Sequence, residues 1–270
     1  MSQSTILLIG GTGKTGRRVA ERLTAMGHNV RVASRSAEYR FLWDDPSTWK
    51  TVLEGVDGVY IAHHDNTHPD AGEQIGSFSQ LALSCGVRRQ VLLSGRADAQ
   101  FMASVESGFR SSAADWTILQ PAWFMQNFSE MSFYEAVLAG EISLPVGDAT
   151  EPFIDIEDVA AVAAEALFDD RHIGQTYELT GPALLGFAEA ADVLTKAIGR
   201  NIVYKPITLD EFREFLRSNG LPEEYDQTYS GIADGKLAYV TDDVEQVLGR
   251  KPRTFAEYAR KAASTGVWSI

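Results

Sequence analysis

The chain contains a single cysteine, Cys85, so no disulfide can form within it. That suits a reducing compartment, and a cytoplasmic location is expected. Cys85 closes the apolar stretch Leu81-Ala82-Leu83 and reads as a buried structural thiol rather than a reactive one. Basic residues are scarce, 24 Lys and Arg against 37 Asp and Glu, for a formal net charge of −13. This balance argues against a general nucleic-acid or anionic-membrane surface, while leaving room for one local basic pocket. No apolar run reaches membrane-spanning length, and the opening Met-Ser-Gln-Ser-Thr lacks the basic region of a secretion signal. Repeats, low-complexity tracts and long linkers are also missing. What remains is a 270-residue chain, 44% hydrophobic and 23% charged. Those are ordinary proportions for a globular protein, with length enough for a full core. One domain with an appendage, or two small domains, is expected.

Glycine is placed with purpose near the start. The apolar run Ile6-Leu7-Leu8-Ile9 stops at Gly10-Gly11-Thr12-Gly13-Lys14-Thr15-Gly16. A helical pattern then begins at once, with Val19, Ala20 and Leu23 on one face. Strand, tight turn and helix together give the glycines meaning. Gly10 suits a turn that needs positive φ. Gly13, lacking a side chain, lets a pyrophosphate approach the backbone, and Gly16 lets the helix lie close on the strand. The helix N-terminus then offers free N–H groups and partial positive charge to an anion. The spacing is G-x-x-G-x-x-G. A mononucleotide phosphate loop is excluded, because counting back from Lys14 meets Leu8 and Ile9 where its first glycine should stand.

Strand and helix patterns alternate through the first 120 residues, which predicts a doubly wound, mostly parallel α/β sheet of Rossmann-like type. Strands are expected at Asn29–Ser34, Tyr39–Trp43, Asp57–Ala62, Arg89–Ser94 and Trp116–Leu119, the last stopped by Pro121. Helices are expected at 69–84 and 101–111. The second strand ends in Ser34-Arg35-Ser36. An NAD-specific site wants an acidic residue there for the ribose 2′-hydroxyl, whereas a guanidinium and hydroxyls suit a 2′-phosphate. NADP(H) is therefore the expected cofactor, with Arg35 as a solvated surface charge the alternative. Lys14 adds a second positive charge. Trp43 or Asp44 could border the adenine, or be a structural Trp and a loop Asp. A turn over 44–47 leads into a helix with Ser47 as its expected cap. His63-His64-Asp65 and His68 follow the fourth strand, at the edge where ligands bind in open α/β sheets. Ala62 and His63 are read as lining the adenine–ribose side, with a polar loop as the plainer reading. The spacing fits no familiar zinc pattern and no metal is expected. Ser94 and Pro121 lie toward the nicotinamide.

From Ala122 the texture changes. Trp123, Phe124, Met125, Phe128, Met131, Phe133 and Tyr134 crowd one stretch just past a strand end. They form either helix-packing core or the wall of a substrate pocket, for which Trp123, Phe124, Asn127 and Phe128 are the candidates. Short strands are expected at 141–145 and 152–156, an Ala-rich helix from Glu157-Asp158 to Phe168, and a last strand at Gln175–Thr180. Asp158 is explained by the helix N-terminus. The remainder is mainly helical, with a strand at Val203-Tyr204. The expected division is a dinucleotide-binding region over 1–180, with 123–150 contributing to the pocket, and a smaller helical cap over 181–270.

These residues resemble the NmrA-like group of atypical short-chain dehydrogenases/reductases. The resemblance rests on the glycine motif Gly10 to Gly16, on Trp116-Thr117-Ile118-Leu119-Gln120-Pro121, on Asp155-Ile156-Glu157-Asp158-Val159-Ala160 and on Tyr177-Glu178-Leu179-Thr180-Gly181-Pro182. Two runs, Trp123 to Glu130 and Asp45 to Trp49, are similar to the festuclavine/agroclavine dehydrogenase branch. The resemblance implies an NADPH-dependent oxidoreductase acting on a small molecule such as an iminium, without nucleic-acid or membrane partners, and in a homodimer if it is oligomeric. It also implies alternatives: an NADP(H)-sensing regulator, or a quinone or dye reductase. One departure matters. Typical short-chain dehydrogenases carry Tyr-x-x-x-Lys on the helix after the fifth strand, and here that helix has neither residue. The Tyr normally protonates the forming alkoxide. Its absence implies either an electrophile that takes hydride without that acid, or no hydride transfer. On that helix Glu106 is the one weak candidate for stabilising a cation, against a structural carboxylate.

Overall fold

The structure, a computed structural model, describes residues 3–97, 99–112, 115–222 and 225–269. The chain begins β1 (Thr5–Ile9), α1 (Lys14–Ala25), β2 (Asn29–Ser34), β3 (Tyr39–Arg40), α2 (Trp49–Val52), β4 (Gly58–Ala62), α3 (Ala71–Ser84), β5 (Arg89–Leu93), α4 (Ala99–Ser111) and β6 (Asp115–Pro121). It continues through α5 (Asn127–Glu130), α6 (Tyr134–Ala139), β7 (Glu141–Leu144), β8 (Thr150–Glu151), α7 (Ile156–Ala166), β9 (Gln175–Leu179), β10 (Leu185–Gly186) and α8 (Phe187–Ile198). It ends with β11 (Val203–Pro206), α9 (Leu209–Ser218), α10 (Tyr225–Ala233), α11 (Asp243–Leu248) and α12 (Phe255–Ser264).

Two compact units result. The first takes Met1–Pro121, Ile156–Leu179 and Asp243–Arg250; the second takes Ala122–Asp155, Thr180–Asp242 and Lys251–Ile270. The single boundary expected at 180 is thus replaced by an interleaved path. The reason is packing. Met125, Phe128, Phe133, Val137 and Ile142 share a core with Phe187, Leu194 and Phe255. The α7 segment instead joins α1 through the Arg18–Glu157 ion pair, and its wholly buried Asp158 pairs with Arg250 at 2.6 Å.

The first unit is built on a seven-stranded sheet in the order β3-β2-β1-β4-β5-β6-β9, with every pairing parallel. Leu7, Leu8 and Ile9 are fully buried, as a central strand covered on both faces requires. The strand order reverses between β1 and β4, which makes the carboxyl ends of those strands the natural ligand crevice. Helices α3 and α4 approach closely through glycine. A Cβ on Gly72 would stand 2.5 Å from the Ser104 carbonyl, and one on Gly76 2.8 Å from Gly108 Cα.

Several local expectations shift. Strand β3 stops at Arg40, because Phe41 and Trp43 turn inward onto Trp49 and Phe78. The cap of the turn ahead of α2 is Asp45, not Ser47; its side chain accepts from the Ser47 N–H. Residues 152–156 form no strand, only one bridge between Ile154 and Phe124, and the regular pairing lies at Thr150–Glu151. Cys85 is exposed, because it caps the last turn of α3 rather than lying on its apolar face.

Candidate active site

The turn from β1 to α1 is shaped by what its glycines exclude. Gly10 has φ of +75°, and a Cβ there would meet the Ala62 carbonyl at 2.8 Å. This contact joins the ends of β1 and β4 at the strand-order reversal. A Cβ on Gly16 would stand 2.3 Å from the Gly10 carbonyl, so only glycine lets the helix start this close to the turn. Gly13 donates to the Gly10 carbonyl at 2.9 Å and caps α1. Helix α1 has no side-chain cap bond and no acidic residue in its first turn. A helix start of this kind favours an anion at its end. Thr12 and Gly13 are exposed and Lys14 is half-buried, on the open side of the turn, while Thr15 and Gly16 are buried.

At the end of β2, Ser34 Oγ accepts from the Ala37 N–H at 3.1 Å, which bends the chain sharply and leaves Arg35 exposed. Parallel pairing sets Ser34 opposite Arg40 on β3. Arg40 is also exposed, and neither guanidinium has an ion-pair partner among the described residues. Sequence reasoning missed Arg40. Only the β2–β3 register brings it beside Ser34.

His63 follows β4 and is tightly held. Its Nε2 lies 2.9 Å from Gln74 Oε1, and its Nδ1 lies 2.7 Å from the Asp65 carbonyl oxygen and 3.1 Å from the Asp65 amide nitrogen. Gln74 in turn donates to Asp44 at 3.0 Å. Burial holds the imidazole pKa below its usual value, against the opposing pull of the Gln74 and Asp65 hydrogen bonds. Trp43 packs against His63 with ring centroids 4.6 Å apart, and also lies in the core with Phe41, Trp49 and Phe78. Among the described residues no group of three or more His, Cys, Asp or Glu side chains is placed to hold a metal.

Ser94 follows β5 directly, its N–H bonded to the Leu119 carbonyl of β6 at 2.8 Å. Its Oγ is buried and has no hydrogen-bond partner among the described residues. A buried hydroxyl without a partner is costly, and a ligand group at the carboxyl edge would supply one. Pro121 ends β6, buried and paired with Leu179. Glu106 is also buried, but both its oxygens are engaged: one accepts from Gln120 and the other from Arg110, each at 2.8 Å. Arg110 also lies over the Trp116 ring. Both Glu106 oxygens are thus held by protein partners, the pattern of a structural carboxylate. The uncapped helix start, the glycine contacts and the orphaned Ser94 hydroxyl fit a dinucleotide.

The substrate candidates all belong to the second unit. Trp123 and Phe124 follow β6 within three residues of Pro121 and are half-buried. Trp123 stacks on Phe133 at 5.8 Å and leans on Tyr229 at 5.8 Å. Tyr229 meets Phe212 at 4.8 Å. Asn127 is mostly buried, and its side-chain amide has no partner among the described residues. Phe128 has no exposed surface; it packs edge-on against Phe153 and Phe255. It therefore belongs to the core, while Trp123 and Phe124 keep an open side. Tyr229 could not have been singled out from sequence, since it lies more than 100 residues beyond Trp123, on helix α10.

Comparison with known proteins agrees with this geometry. The NmrA-like family model matches residues 102–259, and an NAD(P)H-binding model matches residues 10–170. The uncharacterized oxidoreductase YesF of Bacillus subtilis is 32% identical over 284 residues, covering 100% of this chain and 98% of its own. An NAD(P)H azoreductase of Xenophilus azovorans is 31% identical, covering 96% and 98%. In three dimensions the chain resembles the Citrobacter sp. triphenylmethane reductase complexed with NADP(H), with a TM-score of 0.74, 21% identity, and 96% and 99% coverage. With a turn that admits a diphosphate, a match spanning most of its length and relatives that are oxidoreductases, the chain belongs to the NmrA-like family as an NAD(P)H-dependent oxidoreductase.

Proposed function

We propose that the protein is an NADPH-dependent reductase whose acceptor is a small, planar, conjugated or cationic molecule. The observation that carries this reading is the state of helix α4. It lacks Tyr and Lys, and its buried carboxylate, Glu106, is already paired on both oxygens. An acceptor that needs a strong acid from that helix is therefore disfavoured. One that accepts hydride on an electron-poor π system, such as an iminium, a quinone or a dye, is favoured.

Each residue then has a role. The N–H groups at the start of α1, with Gly10, Thr12, Gly13, Lys14, Thr15 and Gly16, hold the pyrophosphate. Ser34, Arg35 and Arg40 hold the 2′-phosphate; paired guanidiniums suit a dianion better than the ribose hydroxyl of NADH. Ala62, His63 and Trp43 border the adenosine, and Ser94 and Pro121 the nicotinamide. Bound there, the reduced nicotinamide supplies a hydride. Trp123 and Phe124 orient the acceptor by stacking, and Asn127 offers it an amide. Orientation of this kind lowers the barrier without an acid.

The test is NADPH consumption with a panel of azo, quinone, triphenylmethane, iminium and enone acceptors. Turnover with at least one, and a clear preference for NADPH over NADH, is the expected result. Tight NADPH binding with no turnover on any acceptor would overturn the enzyme reading in favour of a nucleotide-sensing regulator.

A further inference from the structure

The parallel sheet of the first unit buries a polar group that packing does not account for. Strand β4 reads Gly58-Val59-Tyr60-Ile61-Ala62, and Tyr60 within it has no exposed surface. Val59 and Ile61 share a core with Leu7, Ile9 and the α3 residues Ile75 and Phe78. Alternation along the strand turns Tyr60 to the other face of the sheet, level with Leu8 of β1 and Val91 of β5. Its hydroxyl oxygen is sealed from water and has no hydrogen-bond partner among the described residues. The Thr15 hydroxyl, in the first turn of α1, stands near enough to pull on its titration without closing a hydrogen bond. Phenylalanine would fill the same place without stranding a hydroxyl, which is costly to bury alone.

We propose that Tyr60 is a positioning residue for the diphosphate of the cofactor, acting through the hydroxyl of Thr15. The proposal rests on the reading above that places the diphosphate at the start of α1. Thr15 is the second residue of that helix, which has no side-chain cap bond and no acidic residue in its first turn. When the anion binds, the Tyr60 O–H donates to Thr15 Oγ, and the Thr15 O–H donates to a diphosphate oxygen. One hydrogen bond polarises the next, so the pair holds the anion more strongly than the Thr15 hydroxyl alone. No covalent bond is made or broken, and neither group changes its charge.

The direction of this chain follows from the two hydroxyls. Burial pushes the Tyr60 phenol up, against a smaller opposing pull from Thr15, so the phenol keeps a proton to donate. A phenol is also the more acidic of the two, which makes it the donor and the aliphatic oxygen the acceptor. With its oxygen occupied from the sheet side, Thr15 has one hydrogen left to give, and an anion at the helix start is the group that takes it. The bond is gained on binding. It therefore shows in coenzyme affinity rather than in the stability of the protein alone.

Calorimetric titration of NADPH and of NADH into the parent, Tyr60→Phe, Thr15→Val and the double variant tests this. Tyr60→Phe should weaken both coenzymes alike, by about three- to tenfold, because the diphosphate is common to the two. Thr15→Val should weaken them at least as much, and adding Tyr60→Phe to it should cost nothing further. Thr15→Ser, which keeps the hydroxyl, should bind as the parent does and stay sensitive to Tyr60→Phe. Denaturant unfolding without coenzyme should find Tyr60→Phe no less stable than the parent. Parental affinity in Tyr60→Phe, or the same loss from it with and without Thr15→Val, overturns the assignment and leaves Tyr60 a packing residue. So does a loss of stability without coenzyme, which would mean that the hydroxyl is already bonded inside the fold. A parent that binds neither coenzyme overturns the placement of the diphosphate at α1, and this assignment with it.

Discussion

The two units build their sites by opposite means. In the first, the proposed cofactor side is main chain: Gly10 at positive φ, Gly16 against a carbonyl, and the start of α1. In the second, the proposed acceptor side is a set of side-chain faces, the run Phe133–Trp123–Tyr229–Phe212. A main-chain site tolerates almost no change in its few glycines, because their places are set by covalent geometry. A wall of rings can be re-cut by substitution while the fold stands. That contrast suits a family whose relatives are named for different acceptors.

The sharpest way to break the comparison is Gly16→Val. Its Cβ would press on the Gly10 carbonyl, so we expect a loss of about 3 kcal/mol or more in stability, together with loss of NADPH binding. Denaturant unfolding and calorimetry measure both. A stable variant that still binds NADPH would mean that the turn is not the rigid element described. Next comes Arg35→Asp. Losing a charge-assisted contact to the 2′-phosphate, worth roughly 1.5–3 kcal/mol, should weaken NADPH binding about ten- to a hundredfold and leave NADH binding nearly untouched. Arg40→Asp should act in the same direction. Equal weakening of both coenzymes would remove the 2′-phosphate role.

A smaller effect is expected from Glu106→Ala, which separates a structural carboxylate from a substrate contact. Arg110 is more than a third exposed and can turn to water, so the loss is about 1–2 kcal/mol of stability. NADPH affinity and acceptor preference should not move; a selective change in kcat on cationic acceptors would return Glu106 to the site. The smallest effect concerns His172, buried with Nδ1 against the Tyr177 hydroxyl at 2.8 Å and Nε2 without a partner among the described residues. Burial lowers its pKa. The unfolded chain therefore takes up the proton first as pH falls below about 6.5, and stability declines through the window from there down to the lowered value. Melting at about pH 7.5 and about pH 5.5 should show a larger drop in the parent than in His172→Gln. An identical drop would mean that this imidazole stays out of the acid transition.

How much of this was legible in the chain follows the same contrast. Gly10, Gly13 and Gly16 announced their turn because main-chain constraints act over a few neighbouring residues. The alternating strand and helix patterns foretold the parallel sheet for the same reason. Arg40 and Gln74 were not legible, since only strand register and the placement of α3 bring them to Ser34 and His63. Phe128 looked like a binding residue because aromatics are read as pocket walls, yet it is wholly buried in a core; Trp43 is buried too, but its ring also packs against His63. The boundary at 180 failed to anticipate the interleaving because local composition does not reveal which core an apolar segment joins.

The interleaved path bears on biosynthesis. Strand β9, at the sheet margin, leaves the ribosome only after the whole excursion from Ala122 to Asp155, and α11 later still. A nascent chain halted at Pro121 would expose the β6 flank to stray pairing. Production of this protein should therefore be sensitive to translational stalling in that interval, and no single cut can release either half as a self-sufficient piece.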